Sequence, residues 1–574
     1  MITGAELFVK ALRAEKVDTL FAYPGGQAID LFDALYGVDD IDVILPRHEQ
    51  GLVHAADGYA RSTGKVGVCL VTSGPGATNL VTGIATANYD SVPLVCFTGQ
   101  VPTGLIGNDA FQEVDIVGIT RSISKYAVTV RKREDLAATI KKAFYIARTG
   151  KPGVVVIDLP KDIQRAYGSD EYPEQIEIRG YKPNSSVHSG QIKKAMDMLN
   201  QATKPVFLIG GGVNISHAQK EMLCLAEKTG VPVITTIMGK GAIPTTHELY
   251  VGNIGIHGSY AANSTISQCD VLFSIGTRFN DRITGKIEQF ASHAKIIHVD
   301  IDPASISRNI VVDVPIVADA KLAINALIEK AQPLNTSEWL SEINGWKEQY
   351  PIVMKKSGLT PEKIIRQINR IFENAVIATD VGQNQLWATQ FLELNEHKQL
   401  LTSGGLGTMG YGFPAAIGAK LGNPERDVIV IAGDGGMQMN IQEMATAVVY
   451  ELPIIVCIMN NGYLGNVRQW QEMFFGRRYS GTCLRCRRSC DSNCNQPTEC
   501  CPEYTPDFIK LAESYGAKGI RVTDETGIAA ALEEAKMTKK VPTIIEFIIE
   551  REENVLPIVP PGNALEDMIL ESED

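Results

Sequence analysis

The sequence predicts an α/β protein made of three doubly wound parallel-sheet domains. Short runs rich in Val, Ile and Leu, bounded by Gly or Pro, alternate with helix-length stretches along most of the chain. These runs are continuous rather than alternating with polar residues, which is typical of parallel strands buried on both faces. The length of 574 residues also requires several domains, since a domain has about 100–200 residues.

The elements follow one another in a regular order. The N-terminal stretch MITGAELFVKALRAEKV has the pattern of an amphipathic helix, and the runs VGVCLVTS, PLVCFTG and GVVVIDLP predict strands after it. The strands PVFLI, DVLFSI and KIIHVD come next, followed by NAVIAT, VIVIAG, PIIVCIM and PTIIEFII. Two polar stretches at 162–190 and 331–362 predict linkers. The predicted units are three domains, 1–165, 188–332 and 358–555, and a C-terminal tail, 556–574.

Composition and charge exclude several classes of protein. The formal charge is −12 and the pI is near 5.4, without a basic stripe that could neutralise phosphates, so we expect no nucleic-acid partner. The sequence has no apolar run near the roughly 20 residues of a membrane span, so we expect no membrane insertion. The N-terminus does not have the pattern of a signal peptide, and a cytoplasmic location is predicted.

Six of the eleven cysteines lie in one short insert, 483–501, within the third domain. A local cluster of this kind suggests a metal or redox element rather than a secreted disulfide scaffold. An iron–sulfur cluster or Zn²⁺ is one interpretation, and a flexible loop of reduced cysteines is the other. The candidate ligands are Cys483, Cys486, Cys490, Cys494, Cys500 and Cys501.

The strongest chemical pattern is in the third domain. The strand VIVIAG runs into Gly433-Asp434-Gly435, a helical stretch follows, and the strand PIIVCIM ends at Asn460-Asn461. The carboxyl ends of two parallel strands lie at one edge of the sheet, so Asp434 and Asn461 can offer oxygens to one hard cation such as Mg²⁺. A tight turn with a surface Asn is the structural alternative.

This pattern resembles the thiamine diphosphate motif of the decarboxylase and carboligase superfamily. The resemblance implies that Asp434, Asn461 and the main-chain carbonyl of Tyr463 hold Mg²⁺ against the diphosphate. Such enzymes also need a carboxylate facing the aminopyrimidine ring of the cofactor. Glu49, in the segment RHEQGLVHAADGYARSTG, matches that residue. A glutamate that only complements a helix dipole is the alternative for Glu49.

Longer segments resemble the catalytic large subunit of acetohydroxyacid synthase, also called acetolactate synthase. The similarity covers about residues 1–480 and 503–565, and includes YPGGQAIDLFDAL, VTSGPGATNLVTGIATA, DAFQEVDIVGIT, GTRFNDRITG, SGGLGTMGYGFPAAIGAK and GNVRQWQ. The implied reaction is decarboxylation of pyruvate and its carboligation to pyruvate or 2-ketobutyrate. This is the first common step of branched-chain amino acid biosynthesis.

The resemblance assigns roles to individual residues. The implied catalytic residues are Glu49, Gly26 and Gln112, and the implied substrate residues are Phe111, Arg282 and Trp470. Contacts to thiamine diphosphate are implied for Tyr23, Pro24, Gly25, Thr72, Pro75, Asn79, Val381, Gly382, Gln383, Met409, Gly433, Gly435, Met439 and Val467. Plain core packing is the alternative for Met409, Val467 and Trp470.

The resemblance also implies a flavin and protein partners. A structural FAD would bind the central domain through Gly211, Gly212, Arg278, Asp300 and Asp319. Because Glu49 and the metal motif lie on different domains, two subunits are expected to meet across the cofactor in a homodimer or tetramer. A separate small regulatory subunit is also implied.

Two departures from the family pattern leave other functions open. The usual GQHQ reads Gly382-Gln383-Asn384-Gln385, which removes a titratable His, and GMV reads Gly465-Asn466-Val467. The alternatives are another thiamine diphosphate enzyme, such as a pyruvate oxidase or glyoxylate carboligase, or a non-catalytic redox sensor on the same scaffold.

Overall fold

The computed structural model describes residues 1–354, 357–395, 397–491 and 501–571. Across these ranges the chain forms three parallel sheets of six strands each, together with one short antiparallel pair. The α/β class and the three parallel-sheet domains predicted from the sequence are therefore confirmed. None of the described helices has the length and the apolar character needed to cross a bilayer.

The N-terminal domain has the strands β1 (Ile2–Thr3), β2 (Thr19–Ala22), β3 (Asp42–Ile44), β4 (Gly67–Val71), β5 (Leu94–Gln100), β6 (Tyr126–Thr129), β7 (Val154–Pro160) and β8 (Tyr167–Gly168). Strands β1 and β8 form the antiparallel pair, and the other six form the first sheet in the order β3-β2-β4-β5-β7-β6. The helices are α1 (Gly4–Ala14), α2 (Ile29–Leu35), α3 (Glu49–Thr63), α4 (Pro75–Asn79), α5 (Val81–Tyr89), α6 (Ile116–Thr120), α7 (Leu136–Arg148) and α8 (Lys161–Arg165). Short 3₁₀ turns lie at Thr103–Leu105 and Arg133–Asp135.

The central sheet has the order β11-β10-β9-β12-β13-β14. Its strands are β9 (Pro205–Ile209), β10 (Val233–Thr235), β11 (Tyr250–Asn253), β12 (Val271–Ile275), β13 (Lys295–Asp300) and β14 (Val314–Val317). The helices are α9 (Ser189–Leu199), α10 (Gly211–Ile215), α11 (Gln219–Thr229), α12 (Tyr260–Gln268), α13 (Asp281–Thr284), α14 (Ala320–Ile328) and α15 (Ser337–Gln349). Further 3₁₀ turns lie at Ile237–Gly239, Ile287–Gln289 and Pro303–Ser305.

The third sheet has the order β16-β15-β17-β18-β20-β19. Its strands are β15 (Ala375–Thr379), β16 (Gln399–Leu401), β17 (Asp427–Gly433), β18 (Ile454–Asn460), β19 (Lys518–Val522) and β20 (Thr543–Ile548). The helices are α16 (Pro361–Ile371), α17 (Gln383–Phe391), α18 (Gly412–Gly422), α19 (Asp434–Met439), α20 (Glu443–Val449), α21 (Gly465–Phe474), α22 (Phe508–Ser514) and α23 (Gly527–Met537).

Each sheet is buried on both faces, which explains the continuous apolar runs. On β4, Val68 and Leu70 belong to one buried cluster, whereas Cys69 and Val71 belong to the cluster on the opposite face. Successive side chains of a strand point to opposite faces, so a strand with helices on both sides needs apolar residues at every position. The predicted strands of all three domains are confirmed on this basis.

The stretch at 331–362, predicted as a linker, is more ordered than expected. It contains α15, in which Trp339 and Ile343 are buried in a cluster of the central domain, and Trp339 Nε1 donates to the carbonyl of Pro205 at 3.1 Å. Polar composition concealed this helix because only one narrow face is apolar. The C-terminal tail also packs on the central domain, since Val559 N donates to Ile256 O at 2.8 Å.

The N-terminal and third domains meet where α3 packs against α18. Gly418 and Gly58 let the two backbones approach closely: a Cβ on Gly418 would lie 1.8 Å from Ala55 O, and one on Gly58 would lie 2.0 Å from Ala415 O. Glycine is therefore required at both positions by space. The contact fixes the position of α3, which begins at Glu49, relative to the third sheet.

A buried ionic network crosses the same contact. The Arg61 guanidinium pairs with Asp57 at 2.6 Å and with Asp90 at 3.0 Å, and Tyr411 Oη donates to Asp57 at 2.6 Å. Arg61 also donates to the carbonyl of Thr402 at 3.0 Å. Because buried charges are tolerated only when they are paired and hydrogen-bonded, this network is specific to one alignment of the two domains.

We predict that Gly418→Ala lowers the thermal unfolding midpoint, because the added methyl group overpacks the α3–α18 contact by about 1–3 kcal/mol. The matched control is Gly345→Ala in α15, where a Cβ would meet no atom within 4 Å. Within a helix, this control should be stabilising by about 0.5–1 kcal/mol. Circular dichroism melts of the two variants measure the difference. A Gly418→Ala midpoint at or above that of the wild type would contradict the close contact.

Candidate cofactor and active site

The carboxyl ends of β17 and β18 bring the metal motif together. Asp434 begins α19 directly after β17, and Asn461 follows β18, with exposed fractions of only 1% and 6%. Asp434 Oδ2 is buried and has no hydrogen-bond partner in the part of the chain that the structure describes. Burial raises the pKa of the Asp434 carboxyl to about 7. A cation that accepts this oxygen as a ligand would satisfy it.

Hydrogen bonds hold the amide of Asn461 in place. Its Nδ2 donates to Gln383 Oε1 at 3.1 Å, and its Oδ1 accepts the main-chain N–H of Tyr463 at 3.1 Å. Gln383 in turn donates to Gln469 Oε1 at 3.0 Å. The amide oxygen of Asn461 is thereby fixed beside the turn at Gly462, which has a φ of +72°. The unpartnered Oδ2 of Asp434 and the fixed amide of Asn461 fit an oxygen-ligated cation such as Mg²⁺.

The loop around Asp434 is lined by residues that the sequence assigned to the cofactor. A Cβ on Gly435 would lie 2.8 Å from Leu464 Cδ2 and 3.7 Å from Met409 Cε, and one on Gly410 would lie 2.8 Å from Met439 Cβ. Gly382 has a φ of +140°, a backbone conformation that glycine adopts readily and other residues rarely adopt. The structure thus places Gly382, Gln383, Met409, Gly433, Gly435 and Met439 around the metal motif.

Asp380 holds the neighbouring loop at Gly410 and Gly412 by hydrogen bonds to its main chain. Its carboxylate accepts the main-chain N–H groups of Gly410 and Gly412 at 3.0 Å, and that of Val381 at 2.9 Å. Burial raises the pKa of Asp380 to about 6. The sequence analysis missed Asp380, although an acidic residue at the end of the strand NAVIAT was a signal for it. Asn384 donates to the carbonyls of Asp380 at 2.7 Å and Ile431 at 3.0 Å.

The N-terminal half of the site gathers around Glu49. Asn79 Nδ2 donates to Glu49 Oε2 at 2.9 Å, and a Cβ on Gly76 would lie 3.4 Å from Glu49 Oε1. A Cβ on Gly25 would lie 2.5 Å from Thr72 Cβ, so these two segments touch. The structure therefore brings Gly25, Thr72, Asn79 and Glu49 together, with Tyr23, Pro24 and Pro75 on the same two loops.

Several site residues are open to solvent in the single chain. Phe111 is 85% exposed, Val467 is 52% exposed and Met439 is 54% exposed. A Cβ on Gly26 would meet no atom within 4 Å, whereas Gln112 O lies 2.7 Å from the position of a Cβ on Gly74. Exposed apolar residues beside a polar loop are typical of a surface that another molecule covers.

Glu443 links the two halves, and the sequence analysis did not identify it. Its Oε1 accepts the main-chain N–H groups of Arg47 and His48 at 3.1 Å and 3.0 Å, immediately before Glu49. Thr446 Oγ1 donates to Glu443 Oε2 at 2.6 Å. Burial raises the pKa of Glu443. An acidic residue at the start of an otherwise apolar helix was the sequence signal for this role.

A cleft of about 1160 Å³ lies at the carboxyl ends of the central strands. All five residues assigned to a flavin line it: Gly211, Gly212, Arg278, Asp300 and Asp319. Gly276 has a φ of +66°, and its Cα lies 2.7 Å from the position of a Cβ on Gly212, so side chains are excluded from this wall. A glycine-walled cleft at strand ends fits a dinucleotide-sized ligand such as FAD. Burial raises the pKa of Asp300 to about 6, and the Asp319 carboxylate caps α14 by accepting Leu322 N.

The predicted acceptor-site residues lie on different elements. Arg282 lines the central cleft and is exposed, with Asp281 as its ion-pair partner at 3.7 Å. Trp470 lies on α21, and its ring makes an edge-to-face contact with Phe474 at 6.3 Å. Trp470 Nε1 is buried without a hydrogen-bond partner among the described residues.

The cysteine insert is described in part, and Cys494 and Cys500 lie outside the described residues. Within the described ranges, no group of three His, Cys, Asp or Glu side chains is arranged to hold a metal ion. The iron–sulfur or zinc prediction stays a prediction. Cys483 precedes the undescribed residues 492–500, and Cys501 directly follows them. Arg551 donates hydrogen bonds to the sulfurs of both cysteines.

Comparisons with known proteins identify similar domains along the chain. Three family models match: the thiamine pyrophosphate enzyme N-terminal TPP binding domain over 2–119, the central domain over 192–327 and the C-terminal TPP binding domain over 380–547. The chain is 46% identical to the probable acetolactate synthase large subunit of Methanococcus aeolicus, over 99% of this chain and 95% of that protein. It is 42% identical to the acetolactate synthase large subunit of Haemophilus influenzae, over 99% of this chain and 98% of that protein. It is 41% identical to the acetolactate synthase isozyme 3 large subunit of Escherichia coli, over 99% of this chain and 99% of that protein.

We predict that Glu443→Gln destabilises the protein by about 1.5–3 kcal/mol, the typical contribution of hydrogen bonds to a charged group. An amide cannot accept all of the N–H groups that the carboxylate accepts. Urea denaturation gives the loss, and hydrogen exchange at the amides of Arg47 and His48 should accelerate. The control Glu425→Gln removes an exposed carboxylate and should change stability by less than about 0.5 kcal/mol. Equal effects of the two substitutions would refute the linking role.

Proposed function

The chain belongs to the acetolactate synthase large-subunit family of thiamine pyrophosphate enzymes, and from this we propose that it decarboxylates pyruvate and joins the remaining two-carbon unit to a second 2-ketoacid. A second pyruvate gives acetolactate, and 2-ketobutyrate gives acetohydroxybutyrate, the first common step of branched-chain amino acid biosynthesis. The observation that carries the proposal is that the chain has both Glu49, oriented by Asn79 on the N-terminal domain, and the buried Asp434 on the third domain, whose Oδ2 has no hydrogen-bond partner among the described residues.

Thiamine diphosphate would be held at the loops around Glu49 and Asp434. When bound, it supplies the electron sink that decarboxylation of a 2-ketoacid requires. Asp434, Asn461 and the main-chain carbonyl of Tyr463 would ligate Mg²⁺ beside the diphosphate. Support for this comes from the orphaned Asp434 Oδ2 and from the hydrogen bonds that fix Asn461.

Glu49 is proposed to hold or move a proton at the cofactor ring. It begins α3, and its Oε2 is oriented by Asn79. The backbone before it is held by Glu443, so its carboxylate is presented from a fixed helix terminus. Pre-organisation of this kind lowers the entropic cost of bringing a catalytic group to its substrate.

The central cleft is proposed to bind FAD. Gly211 and Gly212 would allow close approach of a pyrophosphate, and Arg278 would supply positive charge. The flavin would be structural, without net redox change in the reaction. Arg282 and Trp470 are proposed to select the second ketoacid, with Arg282 pairing with a carboxylate.

We propose that two chains complete each active site. The exposed Phe111, Val467 and Met439 support this, because each would be covered by a partner subunit. A homodimer, alone or within a tetramer, satisfies the requirement. The large-subunit names of the relatives support a separate small regulatory subunit. A cytoplasmic location stays a prediction.

We predict that Glu49→Gln preserves folding and thiamine diphosphate affinity but leaves less than about a tenth of the turnover, because general acid–base groups contribute about 10²–10⁴-fold. Calorimetric titration with the cofactor and acetolactate formation measure the two properties. The control Glu248→Gln makes the same charge change at an exposed position. Turnover above a tenth in Glu49→Gln would remove Glu49 from its proposed role.

The proposed reaction is tested by acetolactate formation from pyruvate with thiamine diphosphate and Mg²⁺, with and without FAD. We expect product that depends on added FAD. Product formed without flavin would support the synthase activity and refute the proposed requirement for FAD. Flavin reduction by pyruvate would indicate a pyruvate oxidase, and turnover of glyoxylate alone would indicate a glyoxylate carboligase. If the cofactor binds and none of these activities is found, with the relatives' small subunit present, the catalytic proposal fails.

A further inference from the structure

The two ends of the cysteine-rich segment meet at one guanidinium group. Arg551 Nη1 donates to Cys501 Sγ at 3.2 Å, and Arg551 Nη2 donates to Cys483 Sγ at 3.7 Å. The two nitrogens belong to one planar guanidinium group, so the two sulfurs are hydrogen-bonded to neighbouring nitrogens of the same side chain. These cysteines are 18 positions apart in the sequence, and both are partly exposed.

Further contacts hold both ends against the metal loop. Arg485 Nε donates to the carbonyl of Pro502 at 2.6 Å, which ties the segment after the gap to the segment before it. Cys483 pairs with Tyr463 in an antiparallel bridge, and Leu484 N donates to Gly462 O at 2.9 Å. The two sulfurs are therefore placed by a network of main-chain and arginine contacts rather than by chance proximity on a free loop.

Among the described residues, the other cysteines are less suited to pair with either of these. Cys490 Sγ accepts the main-chain N–H of Arg487 at 3.3 Å, within its own turn. Cys486 is exposed to solvent, and Cys224 is an exposed residue of α11 in the central domain. The remaining described cysteines, Cys69, Cys96, Cys269 and Cys457, are buried.

We propose that Cys483 and Cys501 form a thiol pair that a small-molecule disulfide oxidises to an intramolecular disulfide. The sulfur of Cys501 attacks the small disulfide, forming a mixed disulfide and releasing one small thiol. The sulfur of Cys483 then attacks Cys501 Sγ and releases the second small thiol. Two cysteine thiols are oxidised, one external disulfide is reduced to two thiols, and the two cysteine protons leave with those thiols.

Disulfide formation has a consequence for the metal loop, and this part rests on the proposed Mg²⁺ site. The Arg551 guanidinium stacks over the Tyr463 ring at 4.8 Å, on the residue whose carbonyl is the proposed third ligand. A disulfide sulfur is a weaker acceptor than a thiol or thiolate sulfur, so a bond between the two sulfurs weakens the contacts that hold this guanidinium over Tyr463. The oxidised protein should therefore bind Mg²⁺ more weakly than the reduced protein.

Peptide mapping tests the disulfide on the full-length protein. The reduced, folded chain is treated with glutathione disulfide, remaining thiols are alkylated, and the protein is cleaved with trypsin. Cleavage after arginine and lysine places Cys483 alone in peptide 479–485 and Cys501 in peptide 489–510, with Cys490, Cys494 and Cys500. We expect the mass of these two peptides joined. Absence of the joined mass, under conditions where exposed Cys224 is modified, would overturn the proposal.

Neighbouring substitutions identify the cysteine in the second peptide. Cys501→Ser should slow formation of the joined peptide about tenfold or more, because Arg551 holds Cys501 beside Cys483 and so raises their effective concentration. Cys500→Ser, the adjacent control, should leave the rate unchanged. Equal loss in both variants, or loss in Cys500→Ser alone, would overturn the assignment to Cys501. Retained circular dichroism spectra exclude misfolding as the cause.

Magnesium titration tests the coupling to the metal loop. Thiamine diphosphate binding is followed by calorimetry at increasing Mg²⁺ in the reduced protein, the oxidised protein and the oxidised Cys501→Ser variant. We expect the oxidised wild type to need at least about threefold more Mg²⁺, and the variant to match the reduced protein. An unchanged requirement after complete cross-linking would refute the coupling. Failure of the reduced protein to bind the cofactor would instead refute the proposed function.

Discussion

The contact between α3 and α18 is the constraint on which the site depends. Two glycines let the helix backbones touch, and the buried Arg61 network permits one alignment of the two domains. Because α3 begins at Glu49, this packing also positions the proposed catalytic carboxylate. Glu443 completes the arrangement by holding the backbone just before Glu49 from the third domain. A residue with no direct role in the reaction thus decides where the reactive group lies.

Burial of polar groups has two distinct outcomes in this molecule. Asp57 and Asp380 are fully surrounded by donors, and they hold domains and loops in place. Asp434 Oδ2, in contrast, is buried without a partner among the described residues. An unpaired buried oxygen is costly, so its persistence is evidence for a ligand that satisfies it.

The cysteine-rich segment lies beside the loop of the proposed metal site. It follows α21 and is anchored at both ends beside the turn at Gly462. Its contacts reach the loop that holds Asn461 and Tyr463, because Arg551 contacts both Cys483 and the Tyr463 ring. The segment therefore lies next to the proposed metal site, whereas Glu49, Asp434 and Asn461 lie outside it.

The sequence by itself determined the α/β class and the buried strands, because strands buried on both faces require continuous apolar runs. It also determined the loops at Gly433-Asp434-Gly435 and Asn460-Asn461, because these motifs directly follow predicted strands. It did not reveal α15, whose single apolar face is hidden within a polar stretch. Only the tertiary structure decided that Glu443 binds the backbone at Arg47 and that Arg551 joins Cys483 to Cys501. Such contacts connect residues that are tens to hundreds of positions apart. Local periodicity carries no information about these pairs, because their geometry arises when separate sheets and helices pack.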